Sequence, residues 1–246
     1  MKKINLRLDD LLVKKGMAKS KSFAQSLIMS GKLLVDNKIS DKPGRSVLLD
    51  SKIELKTPLY PWVSRGGVKL DYALNVFNIS PLDLVTLDLG SSTGGFSHVL
   101  KERGAKKIFA VDVGYGQFDL SLRKESNIIL LERTNARYLT IKHISEKIDL
   151  VVCDVSFISL KKILVSPLDL TSNKAQLVAL IKPQFEVGKK EVSRGGIVRD
   201  ESVRKKCCTE IHNWLESKMN WKVMNVIESP IKGAKGNIEY FIYAKK

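Results

Sequence analysis

The sequence predicts an α/β protein in two parts: a small α+β domain, followed by a Rossmann-like, doubly wound sheet that takes up most of the chain. Three observations predict it. Apolar runs recur along residues 66–246, and most are continuous in Val, Ile and Leu, as in strands buried on both faces of a mainly parallel sheet. Helix-like segments lie between those runs, the alternation of a doubly wound domain. The first run ends in a glycine-rich turn, residues 88–96, at the carboxyl end of a strand, where such sheets take their ligands.

In chain order, RLDDLLVKKG places Leu8, Leu11 and Leu12 on one helical face and stops at Gly16. Ser20 stands at an N-cap position before SFAQSLIMSG, where Phe23, Ala24, Leu27 and Ile28 follow helical spacing. After Gly31 the pattern changes to short strands, LLVDNKI, SVLL and KIEL, with the turn DKPG between the first two. Together these give a domain over 1–56. Residues 57–65, TPLYPWVSR, hold two prolines and no periodicity and read as a linker. The second domain, 66–246, carries the strand runs LVTLDLG, KIFAVDVG, NIILLE, IDLVVCDV and AQLVALIKP, with helices over 66–78, 94–103, 157–165 and 201–219. KVMNVIE and EYFIYAKK, separated only by SPIKGAKGN, read as a terminal antiparallel hairpin added to the sheet.

The glycine-rich turn runs Asp88-Leu89-Gly90-Ser91-Ser92-Thr93-Gly94-Gly95-Phe96. Gly90 lets the chain leave the strand sharply, and Gly94 and Gly95 let backbone approach a ligand. A phosphate-gripping loop needs a Lys followed by Ser or Thr, which is absent, and the dinucleotide Gly-x-Gly-x-x-Gly spacing is absent too. Asp112, at the end of the second strand, can accept hydrogen bonds from a ribose. An early acid at Asp88 suits a positively charged, phosphate-free cofactor. S-adenosylmethionine is the best match, with Asp88, Gly90, Ser91, Ser92, Thr93, Gly94, Gly95, Phe96, Asp112 and Asp154 as its expected contacts.

Four ionisable residues stand where strands or helices meet that ligand: Asp154 and Lys182 at strand ends, Lys69 just after Arg65-Gly66-Gly67, and Glu239 at the start of the last strand. Taken singly each has an ordinary reading: a helix cap, a solvated strand end, a surface helix residue, a pair with a neighbouring Lys. Two lysines and two carboxylates in one setting suit the alkylation of a hydroxyl. A ribose 2′-hydroxyl is a poor nucleophile until its proton is taken, a lysine can act as the base, and the remaining groups orient it. In-line approach to the methyl carbon then makes positioning count.

The formal net charge is +16, which predicts attraction to polyanions: nucleic acid or an anionic membrane surface. Residues 1–60 hold 13 Lys or Arg against 6 Asp or Glu. Lys14, Lys15, Lys19, Lys21 and Lys32 cluster there, as a solvated helix face or a phosphate-binding patch. The loop FEVGKKEVSRGGIVRD offers Lys189, Lys190 and Arg194 to phosphates near the target base. The start of the chain lacks the apolar run of a signal peptide, and no stretch reaches membrane-spanning length. Three cysteines, 153, 207 and 208, neither form a disulfide framework nor take a metal spacing with the three histidines, so a reduced cytoplasm and no metal are expected.

These residues resemble one family end to end: the two-domain ribosomal RNA 2′-O-methyltransferases called hemolysin A-type or TlyA proteins. The segment RLDDLLVKKGMAKSKSFAQSLIMSGKLLVDNK is similar to the RNA-binding domain named after ribosomal small-subunit protein four, with Phe23 at its core and Arg7 and the Lys cluster on its RNA face. VSRGGVKL, DLGSSTGGF, CDVSFISL, LIKPQFEVGK, GGIVRD and SPIKGAKGNIEYF are similar to the family's signature stretches. The resemblance implies a catalytic Lys-Asp-Lys-Glu tetrad at Lys69, Asp154, Lys182 and Glu239. It also implies a monomer acting on a cytidine of ribosomal RNA within ribosomal subunits, with Arg65 among the RNA contacts. One departure is Tyr60, where many relatives have an Arg two residues before the linker Trp62. Three other readings compete. A membrane-active hemolysin lacks a spanning segment and an aromatic-faced amphipathic helix. An assembly factor without catalysis would show a damaged tetrad. Base methylation at carbon usually wants a Cys nucleophile, and the side chain of Cys153 should face away from that of Asp154.

Overall fold

A computed structural model describes residues 5–18, 20–29, 31, 33–55 and 60–246, the side chains of Ser26 and Ala234 excepted. The chain divides into two compact units, Met1–Pro61 and Trp62–Lys246. Of the expected linker 57–65, residues 57–59 lie outside the described residues, while Trp62–Arg65 pack within the second unit. There the Trp62 ring meets His98 edge-on at 5.4 Å, and the amide of Val63 donates to His98 Nδ1.

The first unit runs β1 (Asn5–Arg7), α1 (Leu8–Lys14), α2 (Lys21–Met29), β2 (Leu33–Val35), β3 (Lys38–Ile39), β4 (Ser46–Leu48) and β5 (Ile53–Leu55). Leu8, Leu11 and Leu12 of α1 close on Ala24 and Ile28 of α2 and on Leu33 and Val35, so the helical spacings do make the core. Ser20 caps α2 by accepting from the Phe23 amide at 3.2 Å. Two expectations need correction. Phe23 is 38% exposed, outside the buried cluster that Ala24 and Ile28 form. LLVDNKI is a hairpin rather than one strand, because Asp36 and Asn37 both take positive φ (50° and 64°), the geometry of a two-residue turn that Asp and Asn tolerate. Among the described residues the strands pair as β1–β4 and as β3–β2–β5.

The second unit runs α3 (Arg65–Val76), β6 (Val85–Leu89), α4 (Gly95–Glu102), β7 (Lys107–Val111), β8 (Ile128–Leu131), β9 (Ile148–Cys153), α5 (Leu160–Ile163), α6 (Val165–Asp169), β10 (Thr171–Ile181), α7 (Pro183–Glu186), α8 (Glu201–Met219), β11 (Lys222–Glu228) and β12 (Tyr240–Lys245). They build a seven-stranded sheet in the order β11-β12-β10-β9-β6-β7-β8, in which β12 alone pairs antiparallel on both sides. All five residues of β6 are buried, as its continuous apolar run requires. Successive residues feed two cores. Val151, Cys153, Leu177 and Ala179 pack under α5, α6 and α8, whereas Leu150, Val152, Val178 and Leu180 pack under α3 and α4.

The strand order places β7 and β8 on one side of β6 and β9 and β10 on the other, so the topological switch lies between β6 and β9. Helix α8 spans Glu201–Met219 as expected, started by the Asp200 carboxylate on the Ser202 amide (2.8 Å) and stopped at Asn220 with φ 57°. The single helix expected over 157–165 is instead two short ones. Ser159 caps α5, the turn ends at Leu164, and Pro167 sits in the first turn of α6. Glu239 lies one residue ahead of β12, and Lys182 one residue past β10.

Candidate active site

The switch point brings the four expected ionisable residues together. The β10–β12 register pairs Ile181 with Tyr240, so Lys182 and Glu239 are the next residues along facing chain ends. The β6–β9 register pairs Leu89 with Cys153, which sets Gly90 beside Asp154, and the Asp154 amide donates to the Leu89 carbonyl at 3.0 Å. Lys69 comes in from α3. The side chains form a chain: Glu239 Oε2 to Lys69 Nζ at 2.7 Å, Lys69 Nζ to Asp154 Oδ2 at 3.9 Å, and Asp154 Oδ1 to Lys182 Nζ at 2.6 Å. Lys182 Nζ also donates to Ser156 Oγ at 2.9 Å. Lys69, Lys182 and Glu239 are buried, and two cations facing two carboxylates offset the cost of burying them.

Two adjoining clefts meet at this cluster. One, of about 440 Å³, is walled by the four residues with Gly90–Thr93, Gly95 and Phe96. The other, of about 470 Å³, runs from Gly90 and Ser92 past Asp112 to Thr134 and Asn135. Gly90, Ser92, Asp154, Ser156 and Phe157 border both. Each has the size of a small-molecule site.

The glycine turn has the conformation that its composition requires. Gly90 takes φ +80°, and a Cβ there would stand 2.9 Å from the Asp154 carbonyl oxygen. Gly94 takes φ +92° and abuts Phe118 and Leu122 where α4 begins. Asp112 clamps the turn: its carboxylate accepts from the Ser92 amide at 2.8 Å and the Gly114 amide at 2.7 Å. Asp88 sits behind the turn, fully buried, and Ser97 Oγ donates to its Oδ2 at 2.6 Å while Oδ1 has no partner. Burial pushes the Asp88 carboxyl up to about 7, and the Asp154 charge adds to the rise.

Of the expected cofactor contacts, Asp88 and Gly94 border neither cleft, and the others do. The buried Ser91 Oγ, also without a partner, borders the first cleft. Unsatisfied polar atoms, carboxylates at 88, 112 and 154, and no Lys or Arg within the turn suit a cationic, phosphate-free ligand. S-adenosylmethionine therefore fits these residues.

Sequence reasoning missed Phe157, Ser156 and Phe185. Phe157 is 89% exposed and takes φ +66°, a strained conformation for an aromatic residue, at the border of both clefts. Its ring lies 4.9 Å from that of Phe185. An aromatic residue three positions past a strand-end acid was the available signal. Cys153, as expected, faces the core, and burial pushes its thiol up to about 12, so it offers no thiolate to a base. Among the described residues, no group of His, Cys, Asp and Glu is arranged to hold a metal ion.

The expected nucleic-acid contacts are more dispersed. Lys189, Lys190 and Arg194 are exposed on the loop after α7. Arg65 borders the first cleft, and its guanidinium donates to the Lys232 carbonyl. In the first unit Arg7 pairs with Asp9 (2.8 Å), holding that carboxyl well below the usual range. Lys21 pairs with Asp10 (2.7 Å), Lys15 donates to the Ser51 carbonyl (2.8 Å), and Lys14 is exposed. The exposed Lys21–Asp10 pair is weak enough to exchange for phosphate. Lys19 and Lys32 lie outside the described residues.

Comparison with known proteins agrees with this layout. Residues 62–246 match the FtsJ-like methyltransferase family, and residues 6–53 match the S4 domain. The 16S/23S rRNA (cytidine-2′-O)-methyltransferase TlyA of Mycobacterium tuberculosis is 42% identical over 240 residues, covering 97% of this chain and 89% of its own. The 23S rRNA (cytidine-2′-O)-methyltransferase TlyA of Campylobacter jejuni is 39% identical over 224 residues, covering 91% and 86%. A solved structure from Streptococcus thermophilus, provisionally described as a hemolysin, superposes with a TM-score of 0.76 at 36% identity, covering 98% and 88%. No described helix is long and apolar enough to cross a membrane. The sheet with its switch-point tetrad, the S4 domain ahead of it and relatives alike across both place the chain in the FtsJ-like methyltransferases, as a member of their two-domain TlyA, or hemolysin A, family.

Proposed function

We propose that this protein transfers a methyl group from S-adenosylmethionine to the 2′-hydroxyl of a cytidine in ribosomal RNA. The observation that carries the reading is the ion-pair chain Glu239–Lys69–Asp154–Lys182 along the first cleft, with Asp154 bordering the second. Bound at the glycine turn, the cofactor supplies an electrophilic methyl on a sulfonium sulfur. Ser91, whose Oγ has no partner, would hold its amino-acid end, Asp112 its ribose, and Thr134 and Asn135 would flank its base.

Lys182 is the general base. It walls the first cleft, where Asp154 and Ser156, which border both clefts, fix it from two sides. Glu239 holds Lys69, which shares Asp154 and keeps that carboxylate oriented. With both lysines charged the four groups sum to zero. With Lys182 neutral they sum to −1, which favours a cationic sulfonium nearby. When bound, the cofactor would supply the methyl that the hydroxyl oxygen takes, the electron pair of the broken sulfur–carbon bond staying on sulfur, and Lys182 would accept the hydroxyl proton. The four side chains return to zero net charge as the sulfonium charge disappears.

Phe157 and Phe185 give the target base a stacking surface at the cleft mouth. Lys189, Lys190, Arg194 and the basic side chains of the S4 domain hold phosphates. This work belongs in the cytoplasm, where ribosomal subunits are found. The test is transfer of labelled methyl to separated ribosomal subunits. Label in one rRNA that is lost about 10²- to 10⁴-fold in Lys182→Ala, the usual worth of a general base, is expected. Cofactor binding with no transfer to either subunit would overturn the reading.

A further inference from the structure

The turn that carries Glu239 is fastened to the basic loop by one buried side chain. Asn237 is 3% exposed. Its Oδ1 accepts from the Val198 amide at 3.1 Å, and its Nδ2 donates to the Gly196 carbonyl at 2.8 Å. Its own carbonyl accepts from the Gly233 amide at 2.8 Å. The amide therefore spans two segments: 193–198, a tight turn closed by Ser193 N to Ile197 O at 2.9 Å, and 233–239, which ends at the tetrad. A Cβ on Gly233 would collide with the Glu239 carboxylate, so that turn packs directly on the catalytic side chain.

Arg204 of α8 makes a second fastening. Its Nη1 donates to the carbonyls of Val198 (3.1 Å) and Arg199 (2.6 Å), and its Nε to the Tyr240 hydroxyl (3.3 Å). On the far side Arg65, at the start of the helix that carries Lys69, holds the Lys232 carbonyl. The exposed cations Arg194 and Arg199 sit on the loop so fastened.

We propose that Asn237 is a positioning residue that couples RNA held on the loop 189–199 to the geometry of the Glu239–Lys69 pair. An RNA phosphate drawn to Arg194 and Arg199 fixes the turn 193–198. Through the Asn237 amide this fixes the turn 233–239, and Glu239 with it. The proposal rests on the RNA-methylating function proposed above.

The variants are Asn237→Ala, which removes both bonds, and Asn237→Asp, which keeps an acceptor for Val198 and loses the donor to Gly196. Two readouts apply. The first is steady-state methyl transfer to ribosomal subunits beside cofactor affinity by calorimetry. Asn237→Ala is expected to lower kcat about a hundredfold, the scale of an ångström-sized misplacement, with cofactor Kd within about twofold of the parent, and Asn237→Asp to fall between. The second readout is amide hydrogen exchange with an rRNA fragment added. In the parent the RNA slows exchange in both 193–199 and 233–241; in Asn237→Ala it slows only the first. Equal slowing of 233–241 in parent and variant, or none in the parent, overturns the coupling. So does a kcat loss matched by an equal loss of cofactor affinity, since that reports general disruption. A parent that methylates ribosomal RNA while showing no coupled exchange would leave the proposed function standing and remove this inference alone.

Discussion

Asp88→Asn tests the physical reading of the site without any substrate. Asp88 is fully buried behind the glycine turn, with one carboxylate oxygen bonded to Ser97 and the other without a partner. Burial raises its pKa from 3.8 to about 7. Between those values the folded protein keeps a proton that the unfolded chain has released. The contribution of Asp88 to stability is therefore full below pH 3.8, falls as the pH rises, and is gone above about pH 7. Each pKa unit is worth about 1.4 kcal/mol, so the contribution drops by about 3 kcal/mol between pH 5 and pH 8.5. Asparagine keeps an acceptor for Ser97 and cannot ionise. The stability of the variant relative to the parent should therefore rise by about 3 kcal/mol over that range, all other groups cancelling in the difference. The assay is urea unfolding of the full chain at a series of pH values, followed by tryptophan fluorescence. All three tryptophans (62, 214 and 221) lie in the second unit, so the signal reports that unit alone. A difference that stays flat from pH 5 to 8.5 would show Asp88 ionising normally, and the reasoning about its burial would be wrong.

Other perturbations separate the parts of the site. Glu239→Gln leaves Lys69 buried with only Asp154, 3.9 Å away, so unfolding free energy should fall by about 3 kcal/mol and methyl transfer should fall with it, read by denaturation and by initial rates. Gly94→Ala forces a Cβ at φ +92° to within 3.0 Å of the Phe118 ring; cofactor affinity by calorimetry should drop at least about tenfold, and unchanged affinity would remove the turn from the binding site. Phe157→Ala removes an exposed ring and keeps its Cβ at the same positive φ, so thermal stability should be nearly unchanged. RNA binding, measured by competition, should weaken by the roughly 1–3 kcal/mol of one stacked base.

Much of the fold was legible because burial on both faces leaves an unmistakable pattern. Val85–Leu89 is a nearly continuous apolar run for that reason, as is most of Ile148–Cys153, and the helix expected over 201–219 is α8. Where sequence reasoning failed, local geometry had outweighed periodicity. Asp36-Asn37 bends a run that alternates well enough for a strand, and Ser159 and Pro167 split a stretch that reads as one helix. Phe23 fits the apolar spacing of α2, yet it stands at the edge of the face that Ala24 and Ile28 bury. The tetrad was visible because strand ends are where an open sheet concentrates polar groups. Phe157 and Asn237 were not, because their significance depends on loop conformation: one on a left-handed backbone, the other on two turns far apart in sequence that meet across its amide.

The most direct measurement is the identity of the methylated nucleoside. Ribosomal subunits lacking the modification would be treated with the protein and cofactor, their rRNA digested to nucleosides, and the products separated and weighed by mass spectrometry beside a Lys182→Ala reaction. The methyl should appear on the ribose of cytidine, as 2′-O-methylcytidine, and be nearly absent with the variant. A methyl on the base, or 2′-O-methylcytidine formed equally by Lys182→Ala, would contradict a tetrad that acts by taking the proton from a ribose hydroxyl.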